Sequence, residues 1–204
     1  MNTLLCIQSH YGKPGLTFQL AAERPDAIVI RQPDLRASHF DSACGLITTM
    51  HLDQIGFMDF TAELEAFMDR GGRWFFNGHI MRPFLNELQD YIPAARAGLD
   101  GLQLSTLNSH SIFDGIDRAT LQSRKGVAGF YGRGHNPMPQ GATAVTGVGP
   151  EQAPLDWVWK RPLGGELFSH AGNDLPGTCE DESDSRRLAA NIIAWVMTSG
   201  ERAA

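Results

Sequence analysis

The first half of the chain alternates short apolar runs with amphipathic segments, a pattern typical of strands joined by helices. The apolar runs predict strands over residues 3–9, 27–32, 43–50 and 73–77. The amphipathic segments predict helices over residues 17–24, 59–72 and 82–92. Strands that alternate with helices in this way favour a parallel sheet that is covered on both faces.

The segment 59–72 carries the clearest helical pattern in this half, because its apolar residues recur on one face. Asp59 can cap its start and Gly71 can end it. The strand 73–77 then stops at Asn-Gly, and Pro83 suits the first turn of the predicted helix 82–92. This stretch therefore predicts an abrupt strand-to-helix turn with His79 on it.

The second half changes in character. Strands are predicted over residues 102–107 and 118–123, followed by a loop rich in glycine and proline over residues 126–142. Residues 156–170 predict an antiparallel hairpin that places Trp157 and Trp159 on one face. The chain ends in an amphipathic helix with an acidic start. The predicted fold is α/β, three-layered and flavodoxin-like, with a mostly parallel sheet and an antiparallel hairpin in the C-terminal half.

Composition narrows the possible partners. The 204 residues suffice for one domain, residues 1–204, and the net charge is −6. No cluster of Lys and Arg exceeds a pair, so we expect no binding to nucleic acid or to an anionic membrane. The three cysteines are scattered, and the start of the chain lacks the features of a signal peptide. These features favour the cytoplasm.

In parallel sheets, ligands bind beyond the carboxyl ends of the strands. Several polar residues follow the predicted strands directly and would meet at this edge: His10, Gln32, His51, Asp53 and His79. The sequence therefore predicts a polar ligand site there.

Four segments carry a resemblance to a known family: GGRWFFNGHI (71–80), HSIFDGI (110–116), GGELFSHAGND (164–174) and RRLAANIIAW (186–195). Their order and spacing resemble those of the class I glutamine amidotransferase-like superfamily, within it the trehalose-utilisation (ThuA-like) branch. The resemblance implies a single amidotransferase-like domain with its site at the strand-to-helix turn. It also implies a carbohydrate-derived ligand.

The chain departs from working amidotransferases at that turn. Those enzymes carry a cysteine where this chain has His79, flanked by Asn77 and Met81. An imidazole cannot form the thioester with glutamine that a thiolate forms. Cys6 and Cys44 lie in predicted strands, and the carboxylates around Cys179 would raise its pKa. We therefore expect no glutaminase activity.

Two histidines are candidates for catalysis. His79 either faces the pocket, where it could bind a polar or anionic ligand, or caps the turn. His170 lies near the position of the amidotransferase base, and Asp174 is the carboxylate predicted to orient it. The alternative is a loop histidine that Asp174 holds for turn structure. Asn77 and Asn173, which neighbour these histidines in sequence, are predicted to contact the ligand.

The glycine-rich loop supplies further candidates. Arg133 and His135 lie there beside Tyr131 and Asn136, a combination that suits a sugar or a carboxylated ligand. The glycines would allow the loop to close as a lid. The alternative is a surface excursion without a ligand.

A metal site is not predicted. His51 and Asp53 could join the other histidines at the strand ends, but the chain has neither HExxH nor CxxC spacing. Solvated loop residues are the better account of them. No metal ligand and no cofactor is therefore assigned.

The sequence thus predicts a cytoplasmic amidotransferase-like protein that binds or processes a small polar metabolite, with a sugar or sugar acid implied by the resemblance. Two other functions stay open. One is a catalytically silent partner subunit that presents the tryptophan hairpin to another protein or to a second copy of itself. The other is a metal-assisted hydrolase that uses the histidines at the strand ends.

Overall fold

The computed structural model describes residues 3–95 and 98–198. The strands are β1 (Thr3–Gln8), β2 (Ala27–Arg31), β3 (Ala43–Thr48), β4 (Arg73–Asn77), β5 (Ile92–Pro93), β6 (Leu104–Thr106), β7 (Ser123–Arg124), β8 (Val127–Ala128), β9 (Gly134–His135), β10 (Thr143–Val148), β11 (Ala153–Lys160) and β12 (Glu166–His170). The helices are α1 (Leu16–Ala22), α2 (Ser38–Asp41), α3 (Gln54–Phe57), α4 (Thr61–Asp69) and α5 (Glu182–Met197).

Eight strands form one sheet in the order β2-β1-β3-β4-β12-β11-β10-β6. The first five of these are mutually parallel, whereas β11, β10 and β6 each run antiparallel to the strand before them. The predicted α/β, flavodoxin-like fold with a C-terminal hairpin is therefore confirmed. No helix in the described part of the chain is long and apolar enough to cross a bilayer.

The strands alternate their side chains between two apolar layers, as buried parallel strands must. Leu4 and Cys6 of β1 pack into the layer under α1 and α5. Leu5 and Ile7 of the same strand pack into the layer under α2, α3 and α4. The sheet is thus the middle of three layers, and its carboxyl edge is left for loops.

The tryptophan hairpin is part of the core. Trp157 and Trp159 share one face of β11 as predicted, but they are 0% and 4% exposed. The indole N–H of Trp157 also donates to the carbonyl of Asn136 at 2.8 Å. The pair therefore offers no surface to a partner protein or to a second copy of the chain.

Three local predictions are wrong. Residues 118–122 form a 3-10 helix rather than a strand, because Asp117 caps the N–H of Ala119. Asp59 does not cap α4; it lies inside a 3-10 turn, Met58–Phe60, that precedes the helix. Residues 82–92 form no α-helix, so the predicted strand-to-helix turn after β4 is in fact a turn into an irregular segment.

The side chain of Gln54 holds the turn after β4 in place. Its carboxamide nitrogen donates to the carbonyl of His79 at 2.6 Å, and its oxygen accepts from the N–H groups of Met81 and Arg82 at 2.7 and 2.9 Å. One amide thus satisfies three backbone groups of the turn. Phe84, Leu85 and Leu88 anchor the rest of the segment in the core, since each is at most 3% exposed.

Candidate functional site

The candidate site lies at the carboxyl edge of the parallel strands. His10, His51 and His79 follow the ends of β1, β3 and β4, and His170 ends β12. Because these strands are parallel, the four residues lie at the same edge of the sheet. Their environments differ, however: His79 and His51 are exposed, His10 is partly buried, and His170 is fully buried.

The carboxylate that contacts His170 is Asp156, and the predicted role of Asp174 as its orienting partner is wrong. Nδ1 of His170 lies 2.6 Å from Oδ1 of Asp156, and both side chains have no exposed surface. The two residues face each other across the antiparallel pair β11 and β12. Tyr131 donates its hydroxyl proton to the other oxygen of Asp156 at 2.5 Å.

The second nitrogen of His170 is free to accept a proton. Nε2 is buried and has no hydrogen-bond partner in the described structure. It lies directly beneath Gly172, where an added Cβ would approach it to 2.6 Å. A glycine is therefore required above the imidazole; Gly172 lines the surface cleft, whereas His170 itself has no exposed surface.

The turn after β4 is built around Gly78 rather than His79. Gly78 has φ +128°, and a Cβ there would lie 2.9 Å from the backbone of Met50. Its N–H donates to the carbonyl of His170 at 2.8 Å. Asn136, which is fully buried, donates to the carbonyl of Gly78 and accepts from the N–H of Ile80. The geometry thus differs from a strained nucleophile elbow, in which the reactive residue itself has positive φ.

His79 lines a cleft of about 470 Å³ at this edge. Its imidazole stacks on Tyr91, with ring centroids 3.7 Å apart and planes 13° from parallel. Partial burial of the ring against its neighbours lowers the pKa of His79. The imidazole is therefore neutral near pH 7 and can either donate or accept a hydrogen bond. Six residues form its surroundings in the cleft: Gly78, Met50, Met81, Arg82, Gly172 and Asn173.

Gln32 and Asp53, both predicted ligand contacts, hold protein backbone. The carboxamide of Gln32 exchanges two hydrogen bonds with the backbone of Asp53, at 2.6 and 3.0 Å. The carboxylate of Asp53 caps α3 by accepting from the N–H of Gly56. These side chains shape the wall of the site.

Asn77 and Asn173 are likewise engaged with the protein. Asn77 is 3% exposed; it donates to the carbonyl of Asn173 at 3.0 Å and accepts from the N–H of Leu175 at 3.0 Å. Asn173 donates to the carbonyl of Phe130 at 2.5 Å while lining the cleft. Together they fix the loop that covers His170.

His10 and Asp174 form the other end of the site. The rings of His10 and His51 meet edge to face with centroids 5.1 Å apart. Nε2 of His10 lies 3.3 Å from the carbonyl of Lys13, whereas its buried Nδ1 has no partner in the described structure. Burial raises the pKa of Asp174, an effect that a hydrogen bond from the backbone of Gly177 partly offsets, and the imidazoles of His170 and His10 are close enough to interact with its charge. Asp174 thus lies within electrostatic reach of both imidazoles.

The structure does not bring Arg133 and His135 into the cleft. Arg133 donates from Nε to the carbonyl of Gly129 at 3.2 Å. His135 pairs with Ile92 in the short ladder of β5 and β9 and lines a separate cavity of about 180 Å³. At Arg133 and His135, the glycine-rich loop therefore lies outside the cleft.

Two hydroxyls at this edge were missed by the sequence analysis. Oγ of Ser9 and Oγ1 of Thr49 are buried without hydrogen-bond partners in the described structure. Each residue follows directly on a parallel strand, β1 or β3, and that position is the signal that could have found them. Asp156 also had a signal, because a carboxylate inside the apolar strand APLDWVWK needs a buried partner.

Neither a reactive thiol nor a metal cluster is found at the site within the described residues. Burial raises the pKa of Cys6 to about 12 and that of Cys179 to about 11, and Asp184 contributes to the second shift. Burial also raises the pKa of Cys44, in β3. Within residues 3–95 and 98–198, no group of three or more His, Cys, Asp or Glu side chains is placed to hold a metal ion.

No protein-family model matches the chain, and no curated protein matches its sequence. Two solved structures share its fold. The N-terminal domain of mmIFT52 is 14% identical with a TM-score of 0.60, covering 97% of this chain and 98% of that one. A candidate GMP synthase subunit from Thermoplasma acidophilum is 12% identical with a TM-score of 0.59, covering 96% of this chain and 94% of that one. At these identities the likeness shows a shared fold and assigns no activity.

Proposed function

We propose that this protein binds a small polyhydroxylated metabolite, a sugar or sugar acid, at the carboxyl edge of its sheet and acts on it by acid–base chemistry. The observation that carries the proposal is a row of four buried polar atoms without partners in the described structure. They are Oγ of Ser9, Nδ1 of His10, Oγ1 of Thr49 and Nε2 of His170. Buried polar atoms are normally hydrogen-bonded, so such a row at one edge indicates a ligand or ordered water.

The hydrogen-bonding character of these atoms favours hydroxyl groups. A carbonyl cannot donate, so Nε2 of His10 carries the proton toward Lys13, and a neutral His10 presents Nδ1 as an acceptor. Nε2 of His170 is also an acceptor, because its Nδ1 carries the proton toward Asp156. Two acceptors need a ligand that donates, and the two hydroxyls can pair with either a donor or an acceptor. Sugar hydroxyls do both, whereas a bare phosphate or carboxylate only accepts.

The cleft beside this row can hold an acidic substituent. Arg82 lines it together with His79, and no carboxylate pairs with Arg82 in the described structure. A guanidinium binds a carboxylate through two parallel hydrogen bonds. A sugar acid would therefore place its hydroxyls toward the buried row and its carboxylate toward Arg82.

The chemistry assigned to the site is proton transfer. Nε2 of His170 would take a proton from a ligand hydroxyl once the backbone at Gly172 moves aside, because the imidazole has no exposed surface. Asp156 would stabilise the imidazolium that forms. His79, which is neutral near pH 7, supplies a second imidazole at the cleft. Burial raises the pKa of all three thiols and keeps them protonated, so the proposed function does not include glutamine hydrolysis.

Neither alternative function has a comparable observation behind it. The partner-subunit hypothesis relied on Trp157 and Trp159, which are core residues. The metal-hydrolase hypothesis relied on histidines that do not converge with other ligands in the described part of the chain. The fold shared with the candidate GMP synthase subunit from Thermoplasma acidophilum agrees with an amidotransferase-like protein, and the carbohydrate ligand also has the support of the sequence resemblance. We place the protein in the cytoplasm on its three free cysteines.

Titration calorimetry with glucose, trehalose, gluconate and glucuronate tests the proposal. We expect at least one of them to bind, and Thr49→Val to weaken binding about 2- to 10-fold, as expected for the loss of one neutral hydrogen bond. Thr143→Val is the matched control, because Thr143 is exposed at the start of β10, four strands away from β3 in the sheet order. If none of the four binds, or if both variants bind like the native protein, the proposal is wrong.

A further inference from the structure

The hydrogen bonds around Asp156 continue past Tyr131 and form a buried chain behind His170. Thr146 lies opposite Asp156 on the neighbouring strand β10, and Asp156 lies opposite His170 on β12. Three adjacent strands therefore place these side chains in a row across the sheet. Tyr131 lies over the row, with its ring 4.9 Å from the imidazole of His170. All four side chains are at most 3% exposed.

Arg118 forms the outer end of the chain. Its guanidinium donates to the hydroxyl of Thr146 and to the carbonyls of Val145 and Asn108, at 2.9 and 3.0 Å for the carbonyls. The ring of Phe113 packs against it at 4.3 Å. No carboxylate pairs directly with Arg118 among the described residues. Its charge therefore faces the chain that leads to Asp156.

The direction of every hydrogen bond in this chain follows from the donors available. A guanidinium has no acceptor, so the oxygen of Thr146 must accept from Arg118. The single hydroxyl proton of Thr146 is then free for the oxygen of Tyr131. Burial, followed by the charge of Asp156, raises the pKa of Tyr131 well above its ordinary value, so the phenol keeps the proton that it donates. Tyr131 in turn donates to Asp156. Each group therefore donates its hydrogen bond in the direction of the carboxylate of Asp156.

This direction of hydrogen-bond donation determines where the proton lies between Asp156 and His170. An oxygen of Asp156 that already accepts from Tyr131 is stabilised in the ionised form, so the proton shared with His170 resides on Nδ1. A second proton on Nε2 would be a buried donor without an acceptor among the described residues. His170 is therefore a neutral imidazole whose free lone pair lies under Gly172.

We infer that Arg118, Thr146 and Tyr131 are positioning residues, which fix Asp156 in its ionised form and weaken its attraction for a second proton on His170, so that the imidazole stays neutral and basic at its Nε2. They act through the hydrogen bond that Tyr131 donates to the carboxylate and through the nearby cation of Arg118. Without them, the full charge of Asp156 would act on His170 and favour the imidazolium, which is useless as a base. The functional meaning of this inference rests on the proposed base role of His170, but the protonation state can be measured without any ligand.

Other charged groups also face His170 and must be considered. Asp156 and Tyr131 contact it directly, and Asp174 and His79 lie within electrostatic reach. Of these, Asp174 favours the imidazolium and His79, when protonated, opposes it. Neither changes in variants of Arg118, Thr146 or Tyr131, so a shift in the titration of His170 reports on the chain itself.

Nitrogen-15 NMR of histidine-labelled protein across a pH series provides the test. In the native protein we expect Nδ1 of His170 to be protonated and Nε2 unprotonated near pH 7. Tyr131→Phe, Thr146→Val and Arg118→Met should each raise the pH at which His170 gains its second proton, by about one unit, or tenfold in proton affinity. Arg118→Lys, which keeps the cation, should titrate close to the native protein.

Tyr91→Phe is the matched control for Tyr131→Phe, because Tyr91 stacks on His79 and contacts no member of the chain in the described structure. It should leave the titration of His170 unchanged. If Tyr131→Phe does not fold, the Arg118 variants decide, since Arg118 borders a cavity of about 170 Å³ that can accommodate a changed side chain. An unchanged His170 titration in folded Tyr131→Phe or Arg118→Met would overturn the inference. Normal titration shifts with no sugar binding would instead refute the proposed function alone.

Discussion

Asp156 and His170 face each other across two antiparallel strands, and their side chains meet at 2.6 Å with no surface exposed to solvent. A buried carboxylate is costly unless it is paired, and this one has two donors. The pair lies at the carboxyl edge of the sheet, beneath the loop that carries Gly172 and Asn173. A structural role alone would leave no reason for the second imidazole nitrogen to be unpartnered at that edge.

The variant Asp156→Asn distinguishes the role of Asp156 from that of Asp174, the carboxylate first predicted to orient His170. Asp156→Asn removes the charge and leaves the hydroxyl of Tyr131 facing an amide, so we expect a loss of about 3 kcal/mol in the free energy of unfolding. It should also lower the pKa of His170, because the imidazolium loses its counter-ion.

Asp174→Asn is the comparison for that variant, measured by urea denaturation and histidine NMR. Asp174 does not contact His170, so its replacement should cost less stability and shift the pKa of His170 less. Equal effects of the two substitutions would show that Asp156 has no special role.

A second prediction concerns acid stability. Burial against Phe168 and Trp195 lowers the pKa of His110 from 6.5 to about 4. A histidine whose pKa is depressed by folding stabilises the protein above its unfolded pKa, and this stability is lost as the pH falls from about 6.5 towards 4. At roughly 1.4 kcal/mol per unit, the loss amounts to at most about 3 kcal/mol.

His110→Asn should remove most of this acid sensitivity, because Asn does not titrate but can still cap the turn that begins at Ser111. The measurement is the free energy of unfolding of both proteins at pH 7 and pH 4. A smaller sensitivity will remain from His79 and His135, whose pKa values burial also lowers. If the native protein and the variant lose equal stability on acidification, His110 is not responsible.

His79→Ala should affect binding more than folding. The side chain is exposed apart from its stack on Tyr91, so we expect its loss to cost about 1 kcal/mol of stability. Binding of a sugar acid should weaken by about 1.5–3 kcal/mol if His79 contacts the charged group. His39→Ala, in α2 before the amino end of β3, is the control for binding. A destabilised His79→Ala protein with native affinity would make His79 a residue of the turn only.

Glutamine should not be hydrolysed. The pKa of about 12 at Cys6 leaves almost no thiolate at neutral pH, and the turn that holds a cysteine in amidotransferases has His79. Ammonia release from glutamine is therefore expected to equal the background rate in the native protein and in Cys6→Ser. Release that exceeds background and disappears in Cys6→Ser would identify a nucleophile that the structure gives no reason to expect.

The alternation of apolar runs predicted the parallel part of the sheet well, because buried strands such as residues 43–48 need continuous apolar sequence. It failed after β4. Residues 82–92 have helical spacing but form an irregular segment, whose apolar residues Phe84, Leu85 and Leu88 are buried without a helix. Residues 118–122 failed for a local reason, the cap supplied by Asp117.

The position of the site could be predicted, but not the pairing within it. Strand ends placed His10, His79 and His170 at one edge, because parallel strands share a direction. Asp156 does not follow a parallel strand in the sequence, so no pattern placed it at that edge. Only the register of β11 against β12 brings it to His170. Spacing along the chain had suggested Asp174 instead. The same limit applies to Gln32 and Asn77. Their side chains donate to backbone carbonyls of residues that are distant in the sequence, Asp53 and Asn173.

The central claim is that a polyhydroxylated ligand fills the row of unpartnered atoms at the carboxyl edge of the sheet. Nitrogen-15 NMR of histidine-labelled protein titrated with gluconate and with trehalose tests it most directly. The account predicts saturable shifts at Nδ1 of His10 and Nε2 of His170, the two free acceptors, with His39 unmoved at the other edge. Saturable binding that leaves both His10 and His170 unperturbed, or no shift with either sugar, would contradict it.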